Sequence, residues 1–298
     1  MTNLSVLYDT PGPKAKRRNI AYTIGFLVVL GLGVWWVLDT MAANHQLEGA
    51  KWRPFVEDSR VWTEFLVPGL TKTLQAAALS IVIALPLGAL LGIARMSDHA
   101  WIRVPAGVWV EFFRAIPVLM LMIFSFQLYA QYGNVDIDIR PLYAVVTGLV
   151  LYNASVIAEI VRAGIESLPR GQNDAAKALG MRKGQIMGTV LLPQAVTAML
   201  PALVSQIVVI VKDTAIGGAL LGYEELFSQV RSITANYGAN TIASITVVAL
   251  IFIVVNFLIT TLARWIESRL RRGRKSTGAV LAADQADQLE TAAPVAKD

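Results

Sequence analysis

Six stretches of this chain run for 18 to 32 residues without Asp, Glu, Lys or Arg, and nothing else in the sequence restricts the fold as strongly. They are 19–38, 73–94, 115–135, 141–158, 184–211 and 232–263. A helix needs about 20 apolar residues to cross the hydrocarbon core of a bilayer. In lipid every backbone N–H and C=O must be paired internally, and a helix does this within one segment. Composition agrees, with 55% hydrophobic and 16% charged residues against about 25% charged in soluble domains. The expected fold is therefore all-α, a polytopic membrane protein with six transmembrane helices. The fifth interval opens on Gly and Gln and reaches Pro193, so its span is placed at about 195–220 with Lys212 and Asp213 inside it. The sixth opens on polar residues, which moves its span to about 241–263.

Lysine and arginine set the orientation. With the N-terminus inside, 18 of the 26 Lys and Arg fall in cytoplasmic segments and 5 in external ones, so both termini are expected in the cytoplasm. The basic lead and Ala42-Ala43 also fit a signal peptide, but the long apolar core with Trp35 and Trp36 favours a retained span. The basic run 269–275 directly follows the last span, which makes it an orientation and lipid-contact segment rather than a nucleic-acid patch. Residues 276–298 and 1–13 read as disordered tails. The chain has no cysteine and two histidines, too few for thiolate chemistry or a histidine-rich metal site.

The loop 164–194 is too long for a turn and lies on the basic, inner side. Asn173 and Asp174 suit a helix start, Ala175, Ala176, Ala178 and Leu179 are good helix formers, and Gly180 stands where a left-handed residue would end the helix. Residues 182–190 can begin a second helix, which Pro193 is expected to stop. The product is a helix–turn–helix elbow at the membrane surface, lined by small residues.

This pattern resembles the EAA loop of ABC importer permeases, matched here at Asp174, Ala175, Ala176, Gly180, Ile186 and Pro193, with Asp in place of the usual Glu. The resemblance narrows to the polar amino-acid permeases through Gly69-Leu70, Gly88, Gly92 and Arg95, the run 111–117, the run 158–165, Leu192-Pro193-Gln194-Ala195, Lys212-Asp213-Thr214 and Glu224-Glu225-Leu226. It covers about residues 66–265, and within the family the chain is most similar to glutamate-type permeases. The resemblance implies a five-helix permease core behind an extra first helix, in a bacterial cell membrane. It also implies partners: two ATP-binding subunits that dock on the elbow, a second permease subunit, identical or homologous, and an extracytoplasmic amino-acid-binding protein. The expected domains are a tail 1–18, an extra helix 19–38, an external segment 39–65, the permease domain 66–265 and a basic tail 266–298.

The phosphate-cradling G-x-x-x-x-G-K-[ST] motif is absent, because Lys follows Gly nowhere in the chain. No cofactor is expected here, and no catalytic residue; ATP and Mg belong to the partner ATPases. The ionisable residues within or beside spans are costly and so attract attention: Arg114, Glu159, Lys212 and Asp213, followed by Thr214. Arg114 can clamp a substrate carboxylate or pair with Glu111 one turn earlier; Glu159 can face a pathway or pair with Arg162. Gln127 is read as an interhelical hydrogen bond, Gly88 and Gly92 as packing ahead of hinge points, and Gly217-Gly218 as able either to unwind the helix or to allow tight packing. The external segment 39–65 can lie at the interface or meet a binding protein. A self-sufficient ion-coupled amino-acid transporter is the competing class, but it predicts inverted repeats, and none is evident.

Overall fold

A computed structural model describes residues 12–291. Among them all regular structure is helical. Helix α1 (Pro13–Ala43) carries the basic lead and the first charge-free interval as one unbroken rod. Two short helices follow, α2 (Gly49–Trp52) and α3 (Pro54–Glu57). A π turn over Val61–Leu66 then runs directly into α4 (Val67–Ala94). Helices α5 (Ala100–Ala115) and α6 (Val118–Gln131) meet at a bend of 101°. Helix α7 (Arg140–Glu166) leads to the elbow, made of α8 (Arg170–Ala178) and α9 (Lys183–Gln185). A second π turn, Ile186–Leu191, continues into α10 (Leu192–Leu221), and α11 (Gln229–Tyr237) and α12 (Thr241–Thr291) complete the chain. Among the described residues five helices are long and apolar enough to span a bilayer, or six if the bent pair counts as one span.

The third span therefore departs from the interval 115–135. Pro117 disfavours the helical conformation in the residue before it, and Ile116 accordingly lies at φ −90°, ψ 129°. The interval is cut there: α6 holds 14 residues, and α5, read as part of an inner loop, is a helix of its own. Trp101, Val104, Val108 and Phe112 fall at helical spacing along α5 and are exposed, the arrangement of a helix lying along a membrane surface.

Pro193 does not stop the second arm of the elbow either. A proline ring clashes with the carbonyl four residues earlier in an α-helix, here that of Thr189, which lies inside the π turn. The wider turn moves that carbonyl aside and the helix runs on to Leu221. Pro68 has the same relation to Glu64 in the first π turn. Asn173 and Asp174 lie mid-way along α8 rather than at its start, where Pro169 is the cap. The tail differs as well: α12 continues to Thr291 through an Ala-, Leu- and Gln-rich stretch of good helix formers. Residues 1–11 and 292–298 of the expected tails lie outside the described residues.

Helix α7 is the hub, buried against α4, α6 and α10. Its near neighbours are glycines: a Cβ on Gly88 would stand 2.6 Å from Ile157 Cβ, one on Gly92 2.7 Å from the Ala158 carbonyl, and one on Gly217 2.2 Å from Val145 Cγ2. The glycines thus bring α4 into backbone contact with α7 and let α10 close onto the Val145 side chain, the packing expected where no water is present to drive apolar burial. Polar glue crosses the same seam. Asn153 is buried, and its Oδ1 accepts from Gln206 Nε2 at 2.5 Å. Between α6 and α7 the hydroxyls of Tyr129 and Thr147 lie 2.7 Å apart, while Gln127, expected in such a role, is exposed.

At the end of α10 remote from the elbow, a separate apolar cluster joins Phe55, Val61 and Leu66 to Leu226, Val230 and Ile233. The segment before α4 is therefore packed onto α11. Tyr237 donates to Asp58 Oδ2 at 2.7 Å and Trp62 to the Phe55 carbonyl at 2.8 Å. Helix α1 buries no residue.

Candidate functional site

The elbow turns through a left-handed Gly180 at φ 75°. The Met181 N–H donates to the Ala176 carbonyl at 3.2 Å and the Gly180 N–H to the Lys177 carbonyl at 2.9 Å. This pair of bonds closes the last turn of α8 and needs a residue without Cβ strain at position 180. The second arm starts with the Arg182 N–H on Gln185 Oε1 at 2.9 Å. Of the six motif residues, Ala176 and Ile186 face inward and fix the elbow, while Asp174, Ala175, Gly180 and Pro193 are exposed. Leu179, beside Gly180, is 82% exposed. The elbow thus offers a small-residue surface with one large apolar side chain standing out of it.

A tie holds this elbow to the rest of the chain. Lys183 Nζ donates to the Met96 carbonyl at 2.8 Å and to the Asp98 carboxylate, in the link between α4 and α5. That ammonium holds the Asp98 carboxyl below the usual range.

The charges at the elbow end of the bundle form one cluster. Glu159 on α7 accepts from Arg95 at 2.7 Å and from Arg162 Nε at 3.1 Å, with Arg114 at 3.7 Å. Arg95 also meets Glu111 at 3.4 Å and Arg162 meets Glu166 at 2.6 Å. Three guanidinium groups and three carboxylates from α4, α5 and α7 thus neutralise one another beside the break at Pro117. The Glu159–Arg162 pair is present; the Arg114–Glu111 pair is replaced, because Glu111 turns to Arg95 and the end of α5 brings Arg114 to α7. Arg95 is visible in the sequence only through the family resemblance, and Glu111 only there and as a partner for Arg114; their meeting at Glu159, and the part taken by Glu166, depend on helix packing that the sequence does not show.

Lys212, Asp213 and Thr214 lie deep in α10, with Lys212 about 30 Å along the helix from Leu192. They point three ways. Lys212 is exposed and borders a cavity of about 290 Å³ with Phe227 and Phe252. Asp213 is half-buried. Thr214 is buried, and its hydroxyl donates to the Val211 carbonyl at 2.8 Å. The two groups of charges therefore sit at different depths and are not one constellation.

Glu225, just beyond α10, is fully buried. Its carboxylate accepts the N–H groups of Phe227 at 2.7 Å and Ser228 at 2.8 Å. Gly218 is required behind it, since a Cβ there would stand 2.0 Å from Oε1. Burial pushes the carboxyl up to about 7 against those two bonds. No group of three or more His, Cys, Asp or Glu suited to a metal occurs among the described residues.

Residues 84–272 match the family described as binding-protein-dependent transport system inner membrane component. The chain belongs to this family. It is a permease subunit of the ABC importer type, a translocation component of a multi-pass membrane assembly. The glutamate transport system permease protein GluD of Corynebacterium glutamicum is 48% identical to this permease over 253 residues, covering 84% of this chain and 92% of the relative. The arginine transport system permease protein ArgU of the same species is 28% identical over 262 residues, covering 84% and 80%. Among solved structures, an amino acid ABC transporter crystallised with histidines contains a chain that is 29% identical, with a TM-score of 0.62, covering 70% of this permease and 95% of that chain.

Proposed function

We propose that this permease carries a polar amino acid, with glutamate the first candidate, through a pathway it forms with a second permease subunit. Two ATPase subunits dock on the elbow, and an extracytoplasmic binding protein delivers the substrate. The observation that carries this reading is the 48% identity with a glutamate permease over 84% of the chain. The elbow geometry supports the coupling step. Asp174, Ala175 and Gly180 form an exposed surface that a partner can approach closely, and Leu179 is large enough to fill a groove there. ATP binding and hydrolysis with Mg are assigned to the partner subunits. Their closure would push the elbow and, through the tie from Lys183 to Met96 and Asp98, the link to α5. Alternating access follows from two arrangements of the bundle biased by that push. The excess of Lys and Arg in the inner segments supports a cytoplasmic position for both termini.

Lys212 and Asp213 remain the candidates for substrate contact, together with Arg114 at the rim of the inner charge cluster; Glu159 has its oxygens engaged by arginines, and Thr214 is enclosed. The arginine permease among the relatives keeps a basic amino acid among the alternatives, and glutamine and aspartate stand beside it as chemistries close to glutamate. Uptake of labelled glutamate in competition with unlabelled amino acids decides the substrate: the expected order places glutamate and aspartate ahead of glutamine and arginine, and full competition by arginine would overturn it. Gly180→Val tests the elbow. The left-handed conformation costs a β-branched residue more than about 1–2 kcal/mol locally. Membrane levels are expected to hold while uptake falls at least tenfold; undiminished uptake removes the docking assignment.

A further inference from the structure

The cations at the α11 end of the molecule are nearly all engaged. Lys51 donates to the Gly238 carbonyl at 3.1 Å, Lys72 pairs with Glu224 at 2.6 Å, Arg53 with Glu57 at 3.9 Å, Arg60 with Asp58 at 3.0 Å, and Arg140 donates to the Val135 carbonyl at 2.9 Å. Arg231 on α11 has no such partner among the described residues, and it is exposed. It borders a cavity of about 590 Å³ between the ends of α10, α11 and α12, ample for an amino acid. Residues 231, 234 and 235 fall on one face of α11 and residues 227 and 228 lead into it, so Phe227, Ser228 and Thr234 share the wall with Arg231. The Thr234 hydroxyl is buried without a partner. No acidic residue lines the cavity. Glu225, which touches Gly218 from behind, is enclosed and accepts backbone N–H groups. Phe227 also lines the cavity that Lys212 borders, so one aromatic side chain is common to the walls of two cavities that each carry a cation.

We infer that the α11 cavity is an entry subsite for an acidic amino acid, in which the Arg231 guanidinium takes a substrate carboxylate before it passes Phe227 towards Lys212. A planar guanidinium is suited to a carboxylate through two parallel N–H···O bonds. The inference rests on the proposed glutamate specificity and adds the place of first contact.

The absence of cysteine in the chain makes a direct test available. Ala235→Cys places a single thiol in the cavity, and its labelling by a maleimide is followed in vesicles carrying the complete transporter. Glutamate is expected to slow labelling at least threefold, and glutamine much less. Protection is expected to vanish with Arg231→Gln added and to return in part with Arg231→Lys. Equal protection by glutamine, or protection that survives Arg231→Gln, overturns the subsite. So does protection by the binding protein without glutamate, which would mean that a protein covers Arg231. Uptake is measured in the same vesicles. Glutamate uptake without protection removes the subsite alone, whereas uptake of arginine in place of glutamate removes the substrate reading and the acidic occupant together.

Discussion

Glu159 is held by three guanidinium groups from three helices, and the consequences of removing it differ from those of removing any one arginine. Glu159→Gln leaves Arg95, Arg114 and Arg162 with only Glu111 and Glu166 for compensation. Breaking a buried pair from one side costs about 3–5 kcal/mol; Glu159 is partly exposed, so about 2–4 kcal/mol is expected, read as a lower thermal midpoint in detergent. Arg114 is half-exposed and 3.7 Å away, and Arg114→Gln should cost less than about 1 kcal/mol. Equal losses would mean that the cluster is not centred on Glu159. Glu225 gives a pH signature of its own. Its carboxyl titrates near 7 in the fold against 4.5 for a free side chain. The fold favours the protonated form, so the contribution is complete below pH 4.5 and is lost as pH rises to about 7. The total is on the order of 3 kcal/mol. Glu225→Gln should flatten the fall in thermal midpoint across that window, and an unchanged slope would show that another group titrates there.

At the scale of elements, the two π turns share one cause, a proline two residues past the turn. Pro193→Ala removes the clash with Thr189 and lets the turn tighten to α geometry. One residue then shifts in register, which rotates the elbow about 100° relative to α10. Uptake is expected to fall several-fold with membrane levels unchanged; full activity would mean that the elbow tolerates the rotation. This element also shows what was legible in the sequence. Charge-free intervals identify segments that lipid accepts, and five unbroken helices follow them. They say nothing of the backbone restriction on Ile116, so the bend was visible only in Pro117. Gly180 was legible because a positive φ demands glycine; Pro193 was misread because a proline ends an α turn but not a π turn. The burial of Glu225 arises from Gly218 and Thr73, the latter over 150 residues away, and no local pattern carries it. Lys212 and Asp213 were identifiable by their setting, yet which way each points is decided by α12 and the loop before α11.

For the molecule as a whole, α1 stands apart. It has 31 residues and buries none of them in this chain. A chain beginning at residue 44 should keep the thermal midpoint of the full permease within about 2 °C, since no core contact is lost. A larger drop would show that α1 is held by contacts made only in the assembled membrane. The family match begins at residue 84, beyond α1 and the segment packed on α11.

The bend at Pro117 has a further consequence. Helix α6, with 14 residues, is about 21 Å long, whereas the apolar layer is about 30 Å thick. Where α6 alone makes the crossing, the bilayer beside it would thin, or water would enter from the α5 side, to make up the difference. A polar solute passing there would be stripped of water over roughly two thirds of the usual distance.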